Sequence, residues 1–127
     1  MRGTTIGAAV IAACLLPGVA RAVEARDFNV RNAGELADLC AAKPTDAKGT
    51  AASNFCHGFT QAVVDMTFTQ ERKSNQPRTI CFPNPVPKRS ATLDEFVAWV
   101  RAQPERLKAP PSEAFLRFMG ERFPCQK

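Results

Sequence analysis

From Asn32 onward the apolar residues recur at helical spacing, in stretches separated by clusters of helix breakers. Asn32 is a good N-cap for a first helix running through Leu36 and Leu39 to Cys40, with Glu35 in the turn where the helix dipole favours an acid. Lys43-Pro44 ends it, and residues 43–50 read as a polar loop. Ala51 to about Glu71 then lacks proline and carries Phe55, Phe59, Ala62, Val63 and Met66 along one stripe, which predicts the longest helix, of about 20 residues and ~30 Å. Pro77, Pro83, Pro85 and Pro87 follow, each removing a backbone donor and fixing its own φ, so residues 72–91 are expected to be an extended crossover. Thr92-Leu93-Asp94-Glu95 fits a capping box, and Leu93, Phe96, Val97 and Val100 continue it as a helix up to Pro104. Residues 104–111 read as a helix-to-helix loop. A last helix is expected after Pro111, capped by Ser112, with Phe115, Phe118, Met119 and Phe123 on its buried face and Phe123-Pro124-Cys125 as its stop. The pattern predicts an all-α fold, a small bundle of about four helices with no sheet.

The amino terminus follows a different logic. Arg2, the apolar run Ile6–Leu16, the Pro17-Gly18 break and Ala20-Arg21-Ala22 have the order of a secretory signal, so residues 1–22 are expected to be removed and the mature chain to begin at Val23. Ile11-Ala12-Ala13-Cys14 also resembles the box preceding a lipid-modified cysteine. Cleavage there would shorten the apolar region to about seven or eight residues, which disfavours anchoring at Cys14. Residues 23–31 carry four charges without a clear period and are expected to be a mobile leader, with the folded domain spanning 32–127. The mature form is expected in the periplasm, with no membrane segment.

Export gives the cysteines a meaning. One of the five, Cys14, lies in the signal, leaving Cys40, Cys56, Cys81 and Cys125, an even set that reads as two disulfides in an oxidising compartment. Four cysteines allow three connectivities; pairing 40 with 56 and 81 with 125 is the natural non-crossing arrangement. Zinc is disfavoured, since there is no C-x-x-C pair to build a compact ligand set. Loss of Arg2 and Arg21 leaves 15 basic residues against 12 acidic ones, scattered rather than striped, which does not describe a nucleic-acid surface.

No catalytic constellation emerges. Cys56-His57 suggests a nucleophile and base, but adjacent helical residues point about 100° apart. Asp65 is expected to be a buried acid capping a loop donor. Trp99 is expected at the edge of the core, although a lone tryptophan is also a common binding hot spot. No metal or cofactor is expected.

A further reading rests on short signatures in order: Gly34-Glu35-Leu36 with Leu39-Cys40, Cys56-His57-Gly58-Phe59 with Asp65, Cys81-Phe82-Pro83, Phe96-Val97 with Gln103-Pro104-Glu105, and Phe123-Pro124-Cys125. Together they resemble the Rap/Tai family of immunity proteins over Asn32 to Cys125. The resemblance implies a small periplasmic helical protein that binds and blocks a peptidoglycan-cleaving amidase injected by a type VI secretion system, without catalysis of its own. The chain departs from the family pattern at Phe59, where a hydroxylated aromatic is more usual, at Ala62, often a glycine, and in having no tyrosine. Its partner-binding contacts are expected from the exposed polar stretches holding Arg72, Lys73 and Arg78, and Glu105, Arg106 and Lys108. The proline-stiffened loop 104–111 is a second candidate, as a low-entropy plug for an enzyme cleft. A homodimer is expected from the resemblance and from the apolar excess of Phe115, Phe118, Met119 and Phe123. The alternative function is a periplasmic stress or chaperone-like protein that exposes apolar surface on demand.

Overall fold

The computed structural model describes residues 28–126. Among these residues five helices follow one another: α1 (Ala33–Ala41), α2 (Ala47–Lys73), α3 (Arg89–Arg101), α4 (Pro104–Lys108) and α5 (Pro111–Arg122). Among the described residues there is no strand. The expected signal, the Cys14 box and the start at Val23 lie outside the described residues. Residues 28–31, expected to be part of a loose leader, are tied down. Phe28 packs edge-on against Phe55, Val30 joins the core, and the Arg31 guanidinium bonds Glu35 at 2.7 Å.

α1 begins as its sequence suggests, with the Asn32 side chain accepting the Glu35 N–H at 3.0 Å. α2 is longer than expected, starting at Ala47 because Asp46 caps it, its carboxylate accepting the Gly49 N–H at 2.7 Å. Gly49, inside the stretch that reads as a polar loop, is the residue that allows the turn. A Cβ there would stand 2.0 Å from the Lys43 carbonyl oxygen. Gly49→Ala therefore gains about 1 kcal/mol of helix propensity and loses more to overpacking against immobile backbone. We expect a net destabilisation of about 2 kcal/mol, read from the urea midpoint.

Two further boundaries differ from the sequence reading. α3 starts at Arg89, one turn before the Thr92 box, and Thr92 is a buried helical residue whose hydroxyl meets the Lys88 carbonyl at 3.4 Å. The earlier start places Leu93 inside regular helix, where it is buried with Phe96, Val97 and Val100. Residues 104–108, expected as loop, form the short helix α4, since Pro104 suits the first helical position. α5 starts at Pro111 itself, with Pro110 as the cap and no side-chain bond from Ser112.

The rotation of α2 is the largest departure. Its buried line is Ala52, Cys56, Thr60, Val64 and Glu71, one position round from the aromatic stripe. Phe55, Phe59 and Val63 are half-buried on its flank, Ala62 is exposed and Met66 is 68% exposed. Cys56 must face Cys40 to bond it, and that link turns Thr60 inward as well, where its hydroxyl is satisfied by the Cys56 carbonyl at 2.8 Å. Asp65 consequently faces solvent, held by the Gln61 amide at 2.8 Å, and the buried acid capping a loop is Glu71 instead.

The core is centred on α3 and α5. Phe96 is fully buried between Phe115 and Phe118, with ring centroids 5.1 and 5.6 Å away. Ala33 and Ala37, fully buried, let α1 lie close against this centre. Phe115, Phe118, Met119 and Phe123 are each 3% exposed, so the apolar excess that suggested a second copy is consumed inside the chain. Disulfides join Cys40 to Cys56 and Cys81 to Cys125. The first fastens α1 to α2, and the second fastens the crossover to the segment after α5.

Candidate functional site

Residues 74–88 form a strap across one side of the bundle, and its attachments explain the site beside it. Asn75 takes a left-handed backbone (φ 52°), which asparagine tolerates, and turns the chain out of α2. The Glu71 carboxylate accepts both the Thr79 N–H at 3.0 Å and the Thr79 hydroxyl at 2.6 Å. Ile80 is buried, and the Cys81 N–H donates to the Phe123 carbonyl at 2.9 Å beside the disulfide. Phe82 packs against Phe68 and Phe123, while the Arg78 guanidinium lies 3.8 Å over the Phe68 ring.

Between strap and bundle runs a groove of about 650 Å³. Its floor is Val64, Phe68, Leu93, Phe115 and Met119, and the strap contributes Phe82, Val86 and Pro87 as a wall. Val86 is 65% exposed and Phe82 38%. The rim is polar: His57 and Asp65 stand on α2, and Gln61 bridges to α3 by accepting from Arg89 through its oxygen while its N–H₂ donates to Asp65. This surface is preformed, because prolines, a disulfide and a buried carboxylate fix the strap in advance. Preorganisation of this kind lowers the entropy lost on binding.

The expected contact residues separate into two patches. Arg72 and Lys73 are exposed in the last turn of α2, with Arg72 bonding the Thr69 hydroxyl at 3.1 Å, and Arg78 borders the groove through Phe68. Glu105 and Lys108 are exposed on α4, which packs on α1 and α3 and lends no residue to the groove. Segment 104–111 is seated in the bundle rather than projecting as a plug. Leu107 packs on the core, and the Ala109 carbonyl accepts the Ala33 N–H at 2.9 Å.

Arg106 belongs to the scaffold. Its guanidinium lies 3.9 Å over the Trp99 ring and donates to the Trp99 carbonyl at 2.8 Å. Trp99 is half-buried at the core edge against Phe118, and its indole N–H donates to Glu121 at 2.8 Å. That bond holds the Glu121 carboxyl below the usual carboxylate range against an opposing desolvation, with Arg117 as a further donor. Arg106→Glu removes a cation–π contact and a charged hydrogen bond together, and is expected to lower stability by about 2 kcal/mol. Lys108→Glu is expected to stay within about 0.5 kcal/mol, and urea unfolding of the two variants makes the comparison.

His57 lines the groove, and Cys56 beside it is committed to its disulfide, so no thiol is present for a cysteine–histidine pair. The sequence reading missed Gln61, Phe82, Val86 and Arg89. The available signal was Pro85-Val86-Pro87, an apolar residue held between two prolines in a segment with no helical period to bury it.

A disulfide-fastened helical frame carrying a preformed apolar groove with singly placed polar groups on its rim is the build of a binding protein. The sequence model of the Rap1a immunity proteins matches residues 32–125, and the chain belongs to that family. Membership makes it an immunity protein, one that binds a cognate toxin effector. Neither the curated proteins nor the solved structures provide a match.

Proposed function

We propose that residues 1–22 direct this chain to the periplasm, and that the mature protein there binds and occludes a peptidoglycan amidase delivered by a type VI secretion system. The family match over residues 32–125 carries this reading. The two disulfides agree with an oxidising compartment, and stoichiometric occlusion needs shape and charge rather than reacting groups. The contact face is centred on the groove and strap, with Arg72, Lys73 and Arg78 along its edge. Homodimerisation belongs to the same reading and is supported by the family resemblance alone, now that the α5 phenylalanines are accounted for inside the core.

The test is protection in the compartment itself. Cells that express a type VI peptidoglycan amidase from the same genome in their periplasm should survive with the gene and lyse without it. Equal lysis, for every such amidase, would move the periplasmic stress-protein alternative ahead. Reversing Arg72 and Arg78 to Glu should slow association strongly at low salt and weakly at high salt. Reversing Lys108 should leave the rate unchanged if the groove face, and not α4, meets the enzyme.

A further inference from the structure

Most guanidinium groups that the structure fixes by polar side-chain contacts meet acids: Arg31 meets Glu35, Arg101 meets Asp38, Arg117 meets Glu121 and Arg122 meets Glu95. Arg89, at the mouth of the groove, is held by the neutral Gln61 side chain. The Gln61 amide is itself oriented by donating to Asp65 at 2.8 Å, which turns its oxygen toward Arg89. The guanidinium is therefore aimed while its charge is not cancelled by a bonded carboxylate. It also sits, next to Lys88, at the start of α3, whose first turn carries no acid. Helix dipoles disfavour cations at that end, and the bond to Gln61 is what the fold sets against that cost.

We infer that the groove receives a loop of a protein partner in which a large apolar side chain is followed by a carboxylate, the carboxylate anchored by Arg89. The floor of Val64, Phe68, Leu93 and Met119 takes the apolar side chain, and a groove of about 650 Å³ suits one such side chain with its flanking backbone. Recognition proceeds through side chains, because Pro83, Pro85 and Pro87 deprive the strap of the donors that strand addition would need. Arg78 over Phe68 adds a second cation at the groove edge. This inference rests on the binding-protein reading of the same groove and names the chemistry of its occupant.

Two capped tripeptides, leucyl-phenylalanyl-aspartate amide and its asparagine counterpart, probe it without any effector. Titrated into the oxidised mature chain and followed by methyl NMR, both should shift Val64, Leu93 and Met119, with the acidic peptide binding about fivefold tighter. In Arg89→Gln the methyl shifts should persist and the preference should vanish. Equal affinity of the two peptides for the wild type, or no groove shifts up to their solubility limit, would overturn the inference. So would methyl shifts that follow protein concentration without peptide, which would assign the groove to a second copy. Peptides that fail while the amidase binds refute this inference alone. Peptides that bind as described while no amidase does refute the proposed function alone.

Discussion

Phe96→Ala is expected to remove about 3–5 kcal/mol of stability, the largest effect of any single truncation in this chain. Phe96 is fully buried, its ring meets Phe115 edge-on, and Phe118 packs against both rings. Removing the ring leaves a void between α3 and α5 lined by Phe115 and Phe118, and such a site relaxes only in part. A domain of this size has about 5–15 kcal/mol in total, so the variant should populate unfolded chain under mild denaturant. Urea unfolding of the oxidised protein measures it, with Phe96→Leu as a volume-sparing control costing about 1 kcal/mol. A loss below about 1 kcal/mol for the alanine variant would show that the three-ring cluster is not the centre of the core.

The second large effect concerns the cross-links. In the chain-entropy view the 44-residue loop closed by Cys81–Cys125 contributes about 4 kcal/mol, and the 16-residue loop closed by Cys40–Cys56 about 3 kcal/mol. Replacing Cys81 and Cys125 together by serine should therefore cost more than replacing Cys40 and Cys56. It also unfastens the strap from the segment after α5, so groove binding should weaken even where the helices persist. Access sets the order of reduction: Cys81 is exposed, whereas Cys56 is buried beneath α1. Graded reductant followed by alkylation and mass mapping should label Cys81 and Cys125 first. Earlier labelling of Cys40 and Cys56 would contradict the packing of α1 over that bond.

The helical content and the order of the elements were legible because breakers are local signals. Pro44, the proline cluster of the strap and Pro111 each act on their own backbone, and Asn32 caps in the way its side chain predicts. The boundaries that moved were set by the Asp46 cap for α2, by Pro104 at the first position of α4 and by burial for α3. Residues 43–50 read as a polar loop until Asp46 is seen to cap α2 within them, and the Thr92 box gives way to the burial of Thr92 and Leu93. The α2 stripe misled for a related reason. Its most apolar line is Phe55, Phe59 and Val63, but the Cys40–Cys56 bond decides which way the helix faces, and periodicity carries no information about that.

The candidate site was legible only at its margins. Arg72, Lys73 and Arg78 could be chosen as exposed basic residues, and Arg78 does border the groove. Arg106, chosen by the same rule, is engaged with Trp99, since an arginine beside a helix end and one stacked on a ring look alike in sequence. The groove itself is assembled from α2, the strap, α3 and α5, segments up to about 60 positions apart, and no local pattern reports such an assembly.

The most direct test is a titration of the purified, oxidised protein into the proposed target, a peptidoglycan amidase of a type VI secretion system, with peptidoglycan cleavage as the readout. Activity is expected to fall in proportion to added protein and to reach zero at equivalence of binding sites, because occlusion is stoichiometric. Undiminished cleavage at a large molar excess of protein, with both disulfides intact, would contradict it.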